Sequence, residues 1–309
     1  MSLNMSINQF EGSRGCLGPC PEYLRLNRSV LYDPNVRKEF KQRIRMIKEE
    51  AFKRIQEMSG GIENIKQKYP FQYLLFGEYS YSFTIQRSLV TTLGQKHIPE
   101  LLKFLAEKRG LKARTSYKIK MKIPQPIVNR IDEIVNSLDQ GKRKPDIKRE
   151  LEELVQITIT LSKEPKEAPL QVVTADIYLE DPNDPKYSFY IELKTPQPKK
   201  EDCVRVKRRL LLFRIYKYMQ LISAGVKLKE AFEKAIHSAL IGFYYNPFKE
   251  DTQTIRRKGR YPHSFFNRIC DLNEALIAEE LWDCIGGLGT YTELVKIIDE
   301  VTQEFKYKT

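Results

Sequence analysis

Val172-Val173-Thr174-Ala175-Asp176-Ile177-Tyr178 and Phe189-Tyr190-Ile191-Glu192-Leu193-Lys194-Thr195 are the two stretches whose reading decides the fold. Both are apolar and rich in β-branched and aromatic residues. A loop of turn formers, Asp181-Pro182-Asn183-Asp184-Pro185, lies between them. They read as neighbouring buried strands over about 171–179 and 187–195. Side chains alternate along a strand, so Tyr190, Glu192 and Lys194 share one face, and Phe189, Ile191 and Leu193 share the other. Each strand therefore carries charge where a buried strand is normally apolar. An unpartnered charge there costs several kcal/mol. A hairpin would set Asp176 beside Glu192 and Lys194, so that the three groups serve one another or a metal.

Outward from these strands the chain reads as helices around a sheet. Asp33-Pro34 opens a helix to about Met58, with Phe40, Ile44, Ile47, Ala51 and Ile55 on one face. Residues 70–94 have no clear period. A helix follows Gly94 over about 98–108, and Thr115 to Ile123 reads as a strand with Lys118, Lys120 and Lys122 outward. Helices are predicted at 126–139, 146–157, 201–223 and 228–237, and a strand over Ala239 to Tyr245. A basic loop covers 249–263, and helices at 271–284 and 290–306 close the chain. The order strand, strand, helix, strand implies a mixed sheet flanked by helices. The division predicted is a helical N-terminal extension over 1–75 and a core over 76–309.

The 309 residues, 41% hydrophobic, suffice for a large core. A net charge of +13 favours a polyanionic partner, although many basic proteins bind no nucleic acid. No apolar run is long enough to span a bilayer, and Met1 to Gly18 lacks the apolar core of a signal peptide. Residues 1–27 are rich in Gly, Ser and Pro and read as loosely ordered. Cys16, Cys20, Cys203, Cys270 and Cys284 make an odd set, read as reduced thiols in a cytoplasm. Cys16 and Cys20 lack a second pair at ligand spacing, so a structural zinc is not expected.

Glu-x-Lys alone says little, because Glu39-Phe-Lys41, Glu164-Pro-Lys166 and Glu304-Phe-Lys306 repeat it in a helix, a turn and a tail. Only the Glu192 copy has apolar neighbours and an acid on a preceding strand. Its plain reading is a buried Glu192–Lys194 ion pair. Its sharper reading is phosphodiester hydrolysis. Asp176 and Glu192, with the Leu193 carbonyl, would ligate a hard divalent cation such as Mg2+, and Lys194 would orient the attacking water or stabilise the transition state.

Asp176 with Glu192-Leu193-Lys194-Thr195-Pro196 resembles the PD-(D/E)XK nuclease superfamily, and specifically its type II restriction endonucleases. Arg87 to Gln95 is similar to the segment entering the first core helix of these enzymes. Leu281-Trp282-Asp283-Cys284-Ile285-Gly286-Gly287 is similar to a C-terminal segment of several of them. The resemblance spans about residues 80–300, and Ala175 replaces the proline before the acid. It implies an α/β restriction-endonuclease-like core, a mixed central sheet flanked by helices, with helical N- and C-terminal additions. It also implies a third acid on the first core helix, for which Glu100 is the candidate; an acid at a helix N-terminus is the other reading of Glu100.

The implied substrate is double-stranded DNA, cut at a short palindromic site by a homodimer whose system partner is a DNA methyltransferase. Lys199, Arg205 and Arg208, after the site, are candidates to grip the DNA backbone. Arg256, Arg257, Lys258 and Arg260 rank first for base reading, ahead of Lys142 to Lys144 and Lys118 to Lys122. Two further readings stay open. One is a repair or structure-specific nuclease of the same superfamily. The other is a non-catalytic DNA-binding protein with a structural Glu192–Lys194 pair.

Overall fold

Asp33 caps the first helix, α1 (Pro34–Ser59), by accepting the N–H groups of Asn35 and Val36 at 2.8 and 3.0 Å. Pro34 takes the first helical position, where no N–H is needed. The structure is a computed structural model that describes residues 18–59, 74, 79–161, 168–184 and 188–306. α2 (Tyr79–Thr92) runs through a π turn at Leu93–His97 into α3 (Ile98–Lys108), so no break occurs at Gly94. β1 (Lys112–Lys122) leads to α4 (Gln125–Asp139) and α5 (Ile147–Leu161), and these to β2 (Leu170–Glu180) and β3 (Ser188–Lys194). α6 (Lys200–Ser223) and α7 (Leu228–Ile236) return the chain to β4 (Ala239–Phe243). α8 (Thr252–Lys258), α9 (Ser264–Ile269), β5 (Ala275–Ile277), α10 (Glu279–Gly286) and α11 (Thr290–Lys306) complete it.

The five strands lie in the order β1-β2-β3-β4-β5. β1, β2 and β3 are antiparallel, and β3, β4 and β5 are parallel, giving the mixed sheet that the element order predicts. Each face carries a core. One joins Tyr178, Tyr190 and Ile241 to α4, α5, α6 and α9 through residues such as Ile131, Leu151, Leu210 and Phe266. The other joins Ile177, Ile191 and Leu240 to α1, α3, α10 and α11 through Phe40, Leu102, Leu281 and Ile297. α1 is further tied to α11 by Arg37, Lys41 and Arg45, which pair with Glu293, Glu300 and Glu304.

Two details of β1 and β2 matter for the site. First, β3 reaches only as far as Ile177 along β2, so residues 117–122 and 170–175 form a two-stranded ribbon beyond the main sheet. Second, the alternation changes phase at the ribbon's root. Ala113, Ile177 and Leu179 belong to one core, whereas Ile119, Met121, Val173 and Ala175 belong to the other. Ser116, opposite Asp176 in the register, takes a left-handed backbone with φ 49°, and this pair is missing from the ladder.

Three expectations are corrected. The basic segment 249–263 contains α8, capped by Asp251 through the Thr254 N–H at 2.6 Å and ended by Gly259 at φ 65°. Residues 271–284 are a short turn, then β5, then α10. Ala275-Leu276-Ile277 is an apolar run that suits either period, and its place beside β4 decides for strand. The cysteines are not all reduced: Cys20 and Cys284 form a disulfide, while Cys203 and Cys270 are free and buried. Cys16 lies outside the described residues, and Cys20 is committed to the disulfide rather than to zinc.

That disulfide fixes the segment before α1, so residues 18–27 are held in place rather than loosely ordered as their composition suggests. Leu24 is buried, its carbonyl accepts from Arg109 at 2.5 Å, and the Leu26 carbonyl accepts the Leu288 N–H at 3.1 Å. Gly287 permits the crossing, because a Cβ there would stand 2.2 Å from the Arg28 carbonyl oxygen. Closing a 264-residue loop stabilises by about 2–4 kcal/mol in the usual range. Dithiothreitol is expected to lower the thermal midpoint of the wild type and leave that of Cys284→Ser, already lowered, unmoved. Equal midpoints for the two proteins without reductant would show that the bridge does not form.

Candidate active site

β3 is buried at every position but Lys194, and its far edge is held by β4 through Lys194 opposite Phe243. On its other edge the ladder with β2 ends at Ile177 opposite Ile191. The next positions in that register are Asp176 and Glu192. There the two strands part, and the Asp176 Oδ2 accepts the Leu193 N–H at 2.7 Å in place of a ladder bond. The acid is thus fixed by the backbone of the Glu-Leu-Lys strand itself.

Lys194 Nζ stands 3.5 Å from Asp176 Oδ2 and 3.4 Å from Glu192 Oε2, and donates to the Leu193 carbonyl at 2.8 Å. The three side chains predicted to meet therefore do so. Glu192 is fully buried, whereas the Asp176 side chain is 34% exposed. Burial pushes the Glu192 carboxyl above the usual carboxylate range, and the charge of Asp176 adds to it; Lys194 and Arg209 oppose both without cancelling them. Glu192 Oε1 is buried and accepts no hydrogen bond. One such oxygen beside a second, half-open carboxylate fits a hard divalent cation, with Asp176 and Glu192 as its protein ligands. The Leu193 carbonyl, the third predicted ligand, is engaged by Lys194.

Arg209 is the residue that sequence reasoning did not single out. It lies on α6 and donates to Glu192 Oε2 at 2.9 Å, with 30% of its side chain exposed. Helical spacing carried the signal. Val206 and Phe213, three residues before and four after, both face the core, so Arg209 shares the face turned to the sheet.

Glu100 sits in the first turn of α3, exposed, and accepts from Thr115 Oγ1 at 2.8 Å. Among the described residues no cluster of three or more Asp, Glu, His or Cys side chains is placed to hold a metal, so Glu100 is not grouped with Asp176 and Glu192. Of the basic candidates, Lys199 is exposed before α6, Arg205 pairs with Asp202, and Arg208 bonds Asp132 at 2.6 Å. Arg257 and Arg260 are exposed, and Lys258 pairs with Glu250 at 2.6 Å. Arg256 is turned inward. It binds Glu280 at 2.6 Å, the Leu272 carbonyl at 2.7 Å and the Ala275 carbonyl, and so holds β5 and α10 together. Lys207, Arg214 and Lys217 on α6 are likewise interior.

Comparison with known proteins points to a family. The chain matches the family described as "Type II restriction endonuclease, HinfI" over residues 32–302, which reaches further toward the N-terminus than the 80–300 over which the resemblance was read. It is 30% identical over 219 residues to the type II restriction enzyme HgiCII of Herpetosiphon aurantiacus, covering 70% of each chain. It is 31% identical over 227 residues to the type II restriction enzyme MjaII of Methanocaldococcus jannaschii, covering 71% of this chain and 55% of that one. No solved structure matches. A mixed sheet whose splayed strands bring together an acid and a Glu-x-Lys, within a family match spanning most of the sequence, places the chain in the HinfI family of type II restriction endonucleases.

Proposed function

We propose that this endonuclease hydrolyses both strands of duplex DNA at a short palindromic site, acting as a homodimer with Mg2+ held by Asp176 and Glu192. The observation that carries the reading is the buried, unpartnered Glu192 Oε1 beside the Asp176 carboxylate and the Lys194 ammonium. A bound divalent cation would neutralise the scissile phosphate and acidify a water. Arg209 holds Glu192 Oε2, and Oε1 is left without a hydrogen bond for the cation to take up. Lys194, partly exposed at the mouth of the site, orients the attacking water and offsets the charge that builds on the phosphate. The Asp176 bond to the Leu193 N–H keeps the two carboxylates in register. A methyltransferase of matching specificity is the implied system partner. No helix among the described residues is long and apolar enough to cross a membrane.

Digestion of a sequenced genome with Mg2+ is expected to give discrete fragments whose mapped ends share one short symmetric sequence. Chelation with EDTA is expected to stop the reaction. Nicks at any sequence, or removal of flaps only, would favour the repair-type nuclease and overturn this reading.

A further inference from the structure

We propose that the exposed face of the β1–β2 ribbon is a docking surface for duplex DNA beside the point of cleavage. This rests on the nuclease reading and extends it to a surface. The ribbon comprises residues 117–122 and 170–175, which pair only with each other. Its inward face, Ile119, Met121, Val173 and Ala175, is sealed in the core. On the other face Lys118, Lys120 and Lys122 lie opposite Thr174, Val172 and Leu170.

All three lysines are exposed, and none makes an ion pair with a described residue. Alternate residues on one strand stand about 7 Å apart, so the three cations form a row about 14 Å long. Beside them Leu170 and Val172 are 54% and 57% exposed, the kind of apolar surface that a partner covers. The row starts two register positions from Ser116 and Asp176, at the end of the ribbon nearest the carboxylates.

Lysines on a sheet edge also discourage strand-to-strand association, and β1 is an edge strand. That role does not explain Leu170 and Val172, which would promote the association the lysines prevent. A duplex accounts for both features. The major groove admits a two-stranded ribbon, lysines neutralise phosphates, and apolar side chains contact thymine methyl groups. A second copy of this ribbon would bring like charges together.

Binding of a short mixed-sequence duplex, with Ca2+ in place of Mg2+, tests this across a salt series. The combined Lys118→Ala, Lys120→Ala and Lys122→Ala variant is expected to flatten the log–log salt slope by about 2.7, close to 0.9 for each lysine removed. Affinity is expected to fall on the order of a hundredfold at about 0.1 M salt. The corresponding triple arginine variant is expected to keep the wild-type slope, and neither variant to move the thermal midpoint. An unchanged slope in the alanine variant overturns the proposal. Loss of self-association without a change in slope also overturns it, by making the ribbon an interface between copies. If the wild type neither binds nor cuts DNA, the nuclease reading fails and the ribbon proposal with it.

Discussion

Lys194→Ala is expected to slow single-turnover cleavage about a thousandfold while leaving DNA binding in Ca2+ within a few fold. Lys194 is the only cation within reach of both Asp176 and Glu192 among the described residues, at 3.5 and 3.4 Å, and it reaches solvent there. Removing one positioned charge or proton donor from an active site costs about 100- to 10,000-fold in rate. Asp176→Asn and Glu192→Gln are expected to lose activity similarly, because each removes a charge from the cation site. Arg209→Lys separates positioning from mere bulk. It keeps a positive charge but shortens the reach to Glu192, so cleavage should require more Mg2+ while DNA affinity in Ca2+ holds. Wild-type cleavage by Lys194→Ala would reduce Glu192–Lys194 to a structural ion pair and remove the basis of the catalytic assignment.

Glu274→Ala is expected to cost about 3–5 kcal/mol of stability and to lower the thermal midpoint by roughly 5–8 °C. Glu274 is fully buried and lies between two fully buried cations, Lys207 at 2.6 Å and Arg214. Its Oε2 also accepts the Asp271 N–H at 2.8 Å, closing the turn before β5. Burial alone would raise its carboxyl, but Lys207 and Arg214 reverse this and hold it below the usual range. Glu150 gives Lys207 a second partner at 2.6 Å. Without Glu274, Lys207 keeps only Glu150, and Arg214 keeps the Ile236 and Ala239 carbonyls but no carboxylate. Calorimetry of wild type and variant checks this; midpoints within a degree or two would mean that the cluster rearranges or takes up water at no cost.

Much of the site was legible in the sequence because strands have the simplest period. Asp176, Glu192 and Lys194 could be placed on shared faces by counting in twos, and the turn formers at 181–185 made the two runs neighbours. Helices with an apolar stripe and a proline at their start, such as α1 and α4, could be read in the same way. α6 was also legible as a helix, but it is buried on nearly every side, so no stripe sorted its cations into interior and exposed. Lys207, Arg209 and Arg214 looked like the solvated Arg205 and Arg208. Arg256 misled for the same reason: a basic run does not show which member turns inward to carbonyls supplied by residues 272 and 275. The Cys20–Cys284 pairing depends on proximity between the two ends of the described chain, which no local pattern encodes.

The segment and helix that precede the sheet find their partners more than 250 residues further along the chain. Cys20 waits for Cys284, Ser29 for Thr290 at 2.7 Å, and Arg37 and Lys41 for Glu300. Asp176, Glu192 and Lys194, by contrast, all lie within the first two thirds of the chain. On the ribosome the catalytic strands therefore emerge before the second core can close around α1. Contacts so distant in sequence form late, after the costly loop between them is ordered. Closure of the layer that backs the catalytic strands is thereby postponed until residues 284–304 have been made.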